Sequence, residues 1–400
     1  MATATALRDP TRRRTRLAGV DAARGLALIG MMSVHVIPSV GSDGSTAVSS
    51  LIAGGRSAAL FAVLAGVGLA LASGGATAPR GRALARASAG TAARAVVLFV
   101  IGLTLGLFDS HVAVILAYYA LLFLVAIPFL ALRPGVLLPL AAAWAVVAPL
   151  ISQAVRASMP PPSYGNPTFE SFADPLGLVR ELALTGYYPV FTWTAYILAG
   201  LGIGRLALNS TRVARWLLGG GVTLAIATWI SSTVVVENGV LTELVAAGLG
   251  DHPASRPFAD AVQFTGFYGT TPTTTWWWLT IASPHSGTGF DLLHTIGSAA
   301  AVLGLMLLIA KWSRGILLPL STTGSMTLTL YSLHVVLLAT ILPRTTEHAF
   351  LVHVAIAIAI AVPWRTLVGR GPLEALAAAA AANAGNLVAP SAPRPTLTER

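Results

Sequence analysis

Apolar stretches of roughly 20 residues, broken by short polar and basic joints, recur from one end of the chain to the other. Such a stretch is what an α-helix needs to cross the hydrocarbon core of a bilayer. The pattern predicts spans at 19–38, 56–74, 93–108, 112–131, 135–154, 188–206, 214–236, 289–310, 317–341 and 349–368. The expected fold is all-α, a polytopic membrane protein of about ten transmembrane helices, because only helices and closed barrels satisfy their backbone in lipid. An even count puts both termini on one side. No small-residue cleavage site follows the first apolar run, so that span is expected to stay in place.

Basic residues assign the sides. Arg80, Arg82, Arg86, Arg94, Arg133, Arg205, Arg212, Arg215, Lys311, Arg314, Arg365 and Arg370 fall with the basic tail 1–16 on one face. The opposite face has only Arg156, Arg180, Arg256 and Arg344. Lys/Arg excess marks the cytoplasmic side, so both termini are expected inside and the chain in the cytoplasmic (plasma) membrane. Composition agrees: 55% of the residues are hydrophobic and 10% charged, too few charges for a soluble chain of 400 residues. The net charge of +10 belongs to these joints and does not form a nucleic-acid-binding face. The absence of Cys excludes thiol catalysis and thiolate metal sites.

The domain organisation follows from the same pattern. A basic cytoplasmic tail covers 1–16, a transmembrane domain 17–372, and an Ala-rich helix followed by a Pro-rich stretch 373–400. Two outer loops, 155–187 and 237–288, are too long to be simple connectors and suit binding surfaces. Within the second, WWWLTIA reads either as a short interfacial helix with its tryptophans at headgroup level or as an aromatic platform for sugar rings. Glycine pairs Gly102/Gly106 and Gly200/Gly204 predict close helix crossings. GLGIG at 200–204 ends a span and follows no strand, so it is no dinucleotide fingerprint.

The first span, GVDAARGLALIGMMSVHVIP, carries three ionisable residues. At about 100° per residue, Asp21, Arg24 and His35 share one face, with His35 about 16 Å above Arg24. Ionisable groups at membrane depth normally face a cavity or one another. The plainer alternative is an Asp21–Arg24 pair at the inner interface and a hydrogen-bonded His35 at the outer one. The chain has eight His and neither an HExxH nor a GxSxG pattern, so no metal site is expected and proton or acyl transfer by individual His residues remains. His285, Asp291 and His294 cluster at the start of the eighth span, and Tyr331 and His334 share a face of the ninth. Arg56 opens the second span, where it either clamps an anionic or carbonyl group or snorkels. These six are the candidate substrate-binding residues of an outer vestibule.

VDAARGLALIGMMSVH resembles the first span of transmembrane acyltransferases, and Arg24 and His35 fit the Arg–x10–His spacing of the acyltransferase-3 branch. GRSAALFAVLAGVGLAL, TWTAYILAGLGIGR, TTGSMTLTLYSLHVVLL and RGPLEAL are similar to the YeiB-type, heparan-α-glucosaminide N-acetyltransferase-like branch. The resemblance spans roughly residues 16–376.

That resemblance implies transfer of an acyl group, usually acetyl, from cytoplasmic acetyl-CoA or another acyl-CoA to an extracytoplasmic sugar or glycolipid, with no metal. His35 is then the catalytic residue, as general base or as nucleophile, and Asp21 and Arg24 order the inner half of the path. Arg80, Arg82, Arg86, Arg212 and Arg215 form a basic inner mouth for the nucleotide phosphates. A different class, a small-molecule exporter or lipid flippase, would use the same intramembrane charges, but the paired broken-helix pattern of transporters is absent from the sequence.

Overall fold

A computed structural model describes residues 17–41, 45–248 and 266–389 of the chain. The basic tail 1–16, the DHPASRPF stretch and the Pro-rich end from residue 390 lie outside the described residues. Among those described, the chain is all-helical, its one β-bridge joining Val40 and Thr46.

Each of the ten predicted segments holds a helix. They begin with α1 (Ala18–Val36), α2 (Val48–Ala53), α3 (Arg56–Ala72), α4 (Gly81–Gly106), α5 (Leu116–Ala126) and α6 (Pro134–Arg156). Next come α7 (Pro175–Arg180), α8 (Val190–Gly204), α9 (Thr211–Val235) and α10 (Leu241–Gly248). The last are α11 (Gly289–Trp312), α12 (Leu318–Thr323), α13 (Thr327–Thr340), α14 (Ala349–Leu367) and α15 (Pro372–Val388). Six helical stretches are long and apolar enough to cross a membrane: 48–72, 81–106, 134–156, 211–244, 289–312 and 349–367. Three more, 116–129, 190–204 and 327–340, are apolar but shorter. In α1 the sequence itself lowers the hydropathy, through Asp21, Arg24 and His35.

The interior is built around α1, which packs on α2, α3, α11, α12, α13 and α14. Glycines make this crowding possible. A Cβ on Gly25 would sit 2.1 Å from the Leu320 carbonyl oxygen, and one on Gly324 would sit 1.7 Å from that of Asp21. Close backbone approach of this kind is how helices associate where lipid offers no hydrophobic drive. The predicted pair Gly200/Gly204 does the same for α8 against α3, where Gly200 faces the Val63 carbonyl. The single span predicted at 317–341 is two helices, and the break at 324–326 is where the Gly324 backbone lies against α1.

A second departure shapes the site. The span predicted from residue 112 becomes helical only at Leu116, and residues 107–115 run as irregular chain into the bundle. Irregular backbone buried in the bundle needs its polar groups satisfied by protein. Asn166 supplies both ends of that need: its Oδ1 accepts from Val114 N (2.8 Å) and its Nδ2 donates to Val112 O (2.8 Å). Tyr188 Oη donates to Ala113 O at 3.1 Å, and Ile115 N donates to Tyr331 Oη at 3.3 Å. The loop 155–187 therefore clamps the α4–α5 connection.

The remaining elements brace this centre. Arg205, buried after α8, donates to the carbonyls of Ala70, Gly75 and Leu130 and to Ser73 Oγ, joining the inner ends of α3, α5 and α8. The helix predicted after Gly371 is α15, which lies along α4. Its Glu374 accepts from Leu328 N (2.7 Å), Thr329 N (3.2 Å) and the Thr329 hydroxyl (2.6 Å). Those are the orphan donors of the first turn of α13, where a carboxylate also complements the helix dipole. The outer stretch 237–288 opens as helix, because α9 continues through a kink at Asn238–Gly239 into α10.

Candidate active site

His35 lies in the last turn of α1, half-buried, on the wall of a cavity of about 280 Å³, called outer for the side that the basic residues leave. Its Nδ1 lies 3.2 Å from Nε2 of His334 on α13, with the two rings stacked 16° from parallel. Nδ1 of His334 lies 3.1 Å from Nδ1 of His353 on α14, and Nε2 of His353 lies 3.0 Å from the Leu342 carbonyl oxygen. Three imidazoles from three helices thus make an unbroken line from the cavity wall into the protein. His334 and His353 are 1% and 2% exposed, so the line is accessible only at its His35 end. His334 was legible in the sequence as a neighbour of Tyr331; His353, one turn into an apolar helix, gave no signal of a partner 19 positions upstream.

A second cavity, of about 330 Å³, lies towards the basic side of the bundle. Its walls are largely apolar, formed by residues such as Phe61, Leu69, Leu98 and Phe123, and its polar features are Arg24, Arg94, Tyr119, Thr327, Tyr331 and Glu374. Arg24 is held by Asp21 at 3.3 Å and donates to the Leu64 carbonyl, so the i,i+3 pair expected as the plainer reading is present, and its Arg24 also lines this cavity. Arg94 makes no hydrogen bond to another described residue, and Glu374 is already committed to the start of α13. Two guanidiniums in one cavity suit an anionic or carbonyl-bearing ligand.

The two cavities are close to each other at one place. Tyr331 lines the inner one, His35 lines the outer one, and their ring centroids are 6.5 Å apart, edge to face. The irregular α4–α5 segment shares the partition, with Val112 and Ala113 on the outer side and Ile115 on the inner.

The outer cavity is ringed by His35, His111, Tyr187, Tyr188, Tyr268, His285 and Arg344. It continues outward into a groove of about 700 Å³ that adds Asp109, Tyr164 and Asn166. Tyr164, Tyr187 and Tyr268 form a ring cluster with centroids 5.6–6.2 Å apart. Among the described residues four non-glycines have a left-handed backbone, and three of them, His111, Tyr164 and His285, line these outer spaces. Such conformations persist only where surrounding structure enforces them, and they gather at binding sites. His285 stacks on Trp193 at 8° from parallel, and burial holds its pKa down at about 4, so the ring is neutral. Burial likewise pushes the Tyr187 phenol above its usual range, which keeps it as a donor.

The other sequence candidates separate into two groups. Arg56, Asp291 and His294 lie beside the vestibule and hold α3 to α11 and α9. Arg56 Nε donates to His294 Nε2 (3.0 Å), His294 Nδ1 donates to the Ala225 carbonyl (2.9 Å), and Asp291 accepts from Gly287 N (3.0 Å). Arg56 also donates to Leu51 O at 2.7 Å. Arg80, Arg82 and Arg86 stand at the start of α4, Arg86 beneath Gly385 of α15. Arg212 and Arg215 instead line a recess on α9 with Trp216, away from the inner cavity. Of the three tryptophans, Trp276 and Trp277 are exposed and Trp278 is core to a small cluster with Val236, Val240, Leu244 and Ile281. None of them lines the His35 cavity, where the aromatic wall is tyrosine.

Residues 16–236 match the family model described as heparan-alpha-glucosaminide N-acetyltransferase, catalytic. That match takes in α1, with His35, through α9, and stops short of His334 and His353. Compared with curated proteins, the chain has no match.

Proposed function

Because the chain belongs to the heparan-alpha-glucosaminide N-acetyltransferase family, we propose that it is a multi-pass membrane acyltransferase moving an acetyl-type group from cytoplasmic acyl-CoA to a glycan or glycolipid outside. The observation that carries this reading is the pair of cavities meeting at His35 and Tyr331. A donor and an acceptor from opposite sides of a bilayer need separate entrances and one shared reacting point. In this reading ten helices span the membrane with both termini inside, and the inner cavity takes the thin pantetheine arm. Arg24 and Arg94 meet its polar atoms, while Arg80, Arg82 and Arg86 at the mouth hold the nucleotide phosphates by charge.

The acceptor enters through the tyrosine-lined groove. Its amine or hydroxyl attacks the thioester carbonyl, the carbon–sulfur bond breaks, and the acceptor proton passes to Nε2 of His35. That proton then returns to the departing CoA thiolate, so the ring ends as it began. Proton transfer of this kind contributes about 10²–10⁴-fold. The same lone pair also serves a two-step route in which His35 first carries the acyl group, and acid quenching with label retained on the protein separates the two.

Membranes containing the chain are incubated with radiolabelled acetyl-CoA and outer-leaflet acceptors. The expected result is label in the acceptor fraction, abolished by His35→Ala. CoA-independent flux of an unmodified solute would instead favour the exporter or flippase reading.

A further inference from the structure

We propose that His334 and His353 are positioning residues that fix His35 in the tautomer with its proton on Nδ1, leaving Nε2 as the bare atom on the cavity. The inference rests on the acyltransferase reading for its consequence, but not for its geometry.

The direction is set at the far end. A carbonyl oxygen only accepts, so the 3.0 Å contact with Leu342 requires the His353 proton on Nε2. His353 Nδ1 is then an acceptor, and the 3.1 Å contact requires the His334 proton on Nδ1. His334 Nε2 is therefore an acceptor in turn, and at 3.2 Å it takes the proton from His35 Nδ1. Each step leaves one choice, provided the rings are neutral. Neutrality follows from the surroundings: His334 and His353 are almost wholly buried at membrane depth, and no described carboxylate pairs with any of the three rings. An unpaired buried imidazolium is too costly to persist there. One carbonyl thus dictates, three rings away, which nitrogen of His35 is basic. When Nε2 takes a proton, Nδ1 continues to donate to His334, so the ring is not displaced as its charge appears.

This arrangement gives His353 a role without contact to substrate. His353→Leu removes the acceptor for His334, which is then free to carry its proton on Nε2 and donate it to His35. His35 would respond with its own proton on Nε2, where it can neither accept a proton nor attack. His353→Asn keeps an acceptor, because its Oδ1 takes the place of the ring's Nδ1 opposite His334.

The test uses the full-length chain in detergent micelles with ¹⁵N-labelled histidine. The His35 resonances, assigned by their loss in His35→Ala, are expected to report protonated Nδ1 and unprotonated Nε2 at neutral pH. In His353→Leu the Nε2-protonated form of His35 appears beside the first, and kcat falls in proportion to its population with the KM for acetyl-CoA nearly unchanged. His353→Asn retains both the wild-type tautomer and most of the turnover. Finding His35 with Nε2 protonated in the wild-type chain would overturn the proposal, and so would equal tautomer populations in the Leu and Asn variants. If His353→Leu does not fold, the wild-type spectrum alone decides. If His35→Ala keeps full transfer while the tautomer is as stated, the acyltransferase role of His35 falls and the relay stands.

Discussion

Two imidazoles, His35 half-buried and His294 buried, are each fixed by a helix-to-helix contact. His294 spends both ring nitrogens, one on the Ala225 carbonyl and one on Arg56. His35 spends Nδ1 on His334, and its Nε2 has no hydrogen-bond partner among the described residues. The difference of one lone pair, set against a cavity, separates a fastener from a base. Residue type is the same in both, so that feature alone does not mark a reactive histidine.

One substitution made at both sites gives the sharpest contrast. His35→Gln is expected to lower acyl transfer by about 10²–10⁴-fold with little change in thermal midpoint. His294→Gln should leave kcat within a few-fold of wild type. It should cost about 1–3 kcal/mol of stability, because Arg56 or the Ala225 carbonyl loses a buried partner. Paired turnover and melting measurements in one detergent check both, and a variant pair that lost activity equally would erase the distinction.

How far the sequence anticipated this depends on the range of the interaction involved. The ten helical segments were readable because apolar runs and their basic joints are local features. The shared face of Asp21, Arg24 and His35 was equally readable, since helical periodicity alone creates it. What failed was whatever depended on contact between distant segments. The irregular stretch 107–115 reads as apolar and helical until Asn166 and Tyr331 are known to hold it open. Arg56 and His294, 238 positions apart, were read as substrate-binding candidates, and nothing local announces that they also bind each other. Arg94 was counted only as a topological marker, and Arg212 and Arg215 were grouped with the inner mouth by side rather than by location.

The arginines extend the same contrast. Arg205 is spent on three carbonyls and a serine, whereas Arg94 faces the inner cavity with no hydrogen bond to a described residue. Arg94→Gln should therefore raise the KM for acetyl-CoA about tenfold, equivalent to about 1.4 kcal/mol, with kcat and melting little changed. Arg215→Gln, in the recess on α9, should leave KM unaffected. Initial-rate measurements over a range of donor concentrations compare the two, and equal KM values for both variants would remove Arg94 from the donor path.

The smallest effect tests a third kind of imidazole, unspent but insulated. His285 makes no ring hydrogen bond to a described residue, and burial against Trp193 and Tyr188 lowers its pKa from 6.5 to about 4. Between those values the unfolded chain binds a proton that the folded chain refuses, so folding stability falls as pH drops through 6.5 and levels off below about 4. Partial exposure of the ring to the cavity reduces the full linkage, leaving about 1 kcal/mol over that window. His285→Asn removes the titration while suiting the left-handed backbone that this position requires. Its thermal midpoint should change less than that of the wild type between pH 6.5 and pH 4, whatever the variant's stability at neutral pH. Parallel pH profiles for the two chains would mean that His285 takes up its proton in the folded state as readily as in water, and that the outer cavity is wet where the packing makes it dry.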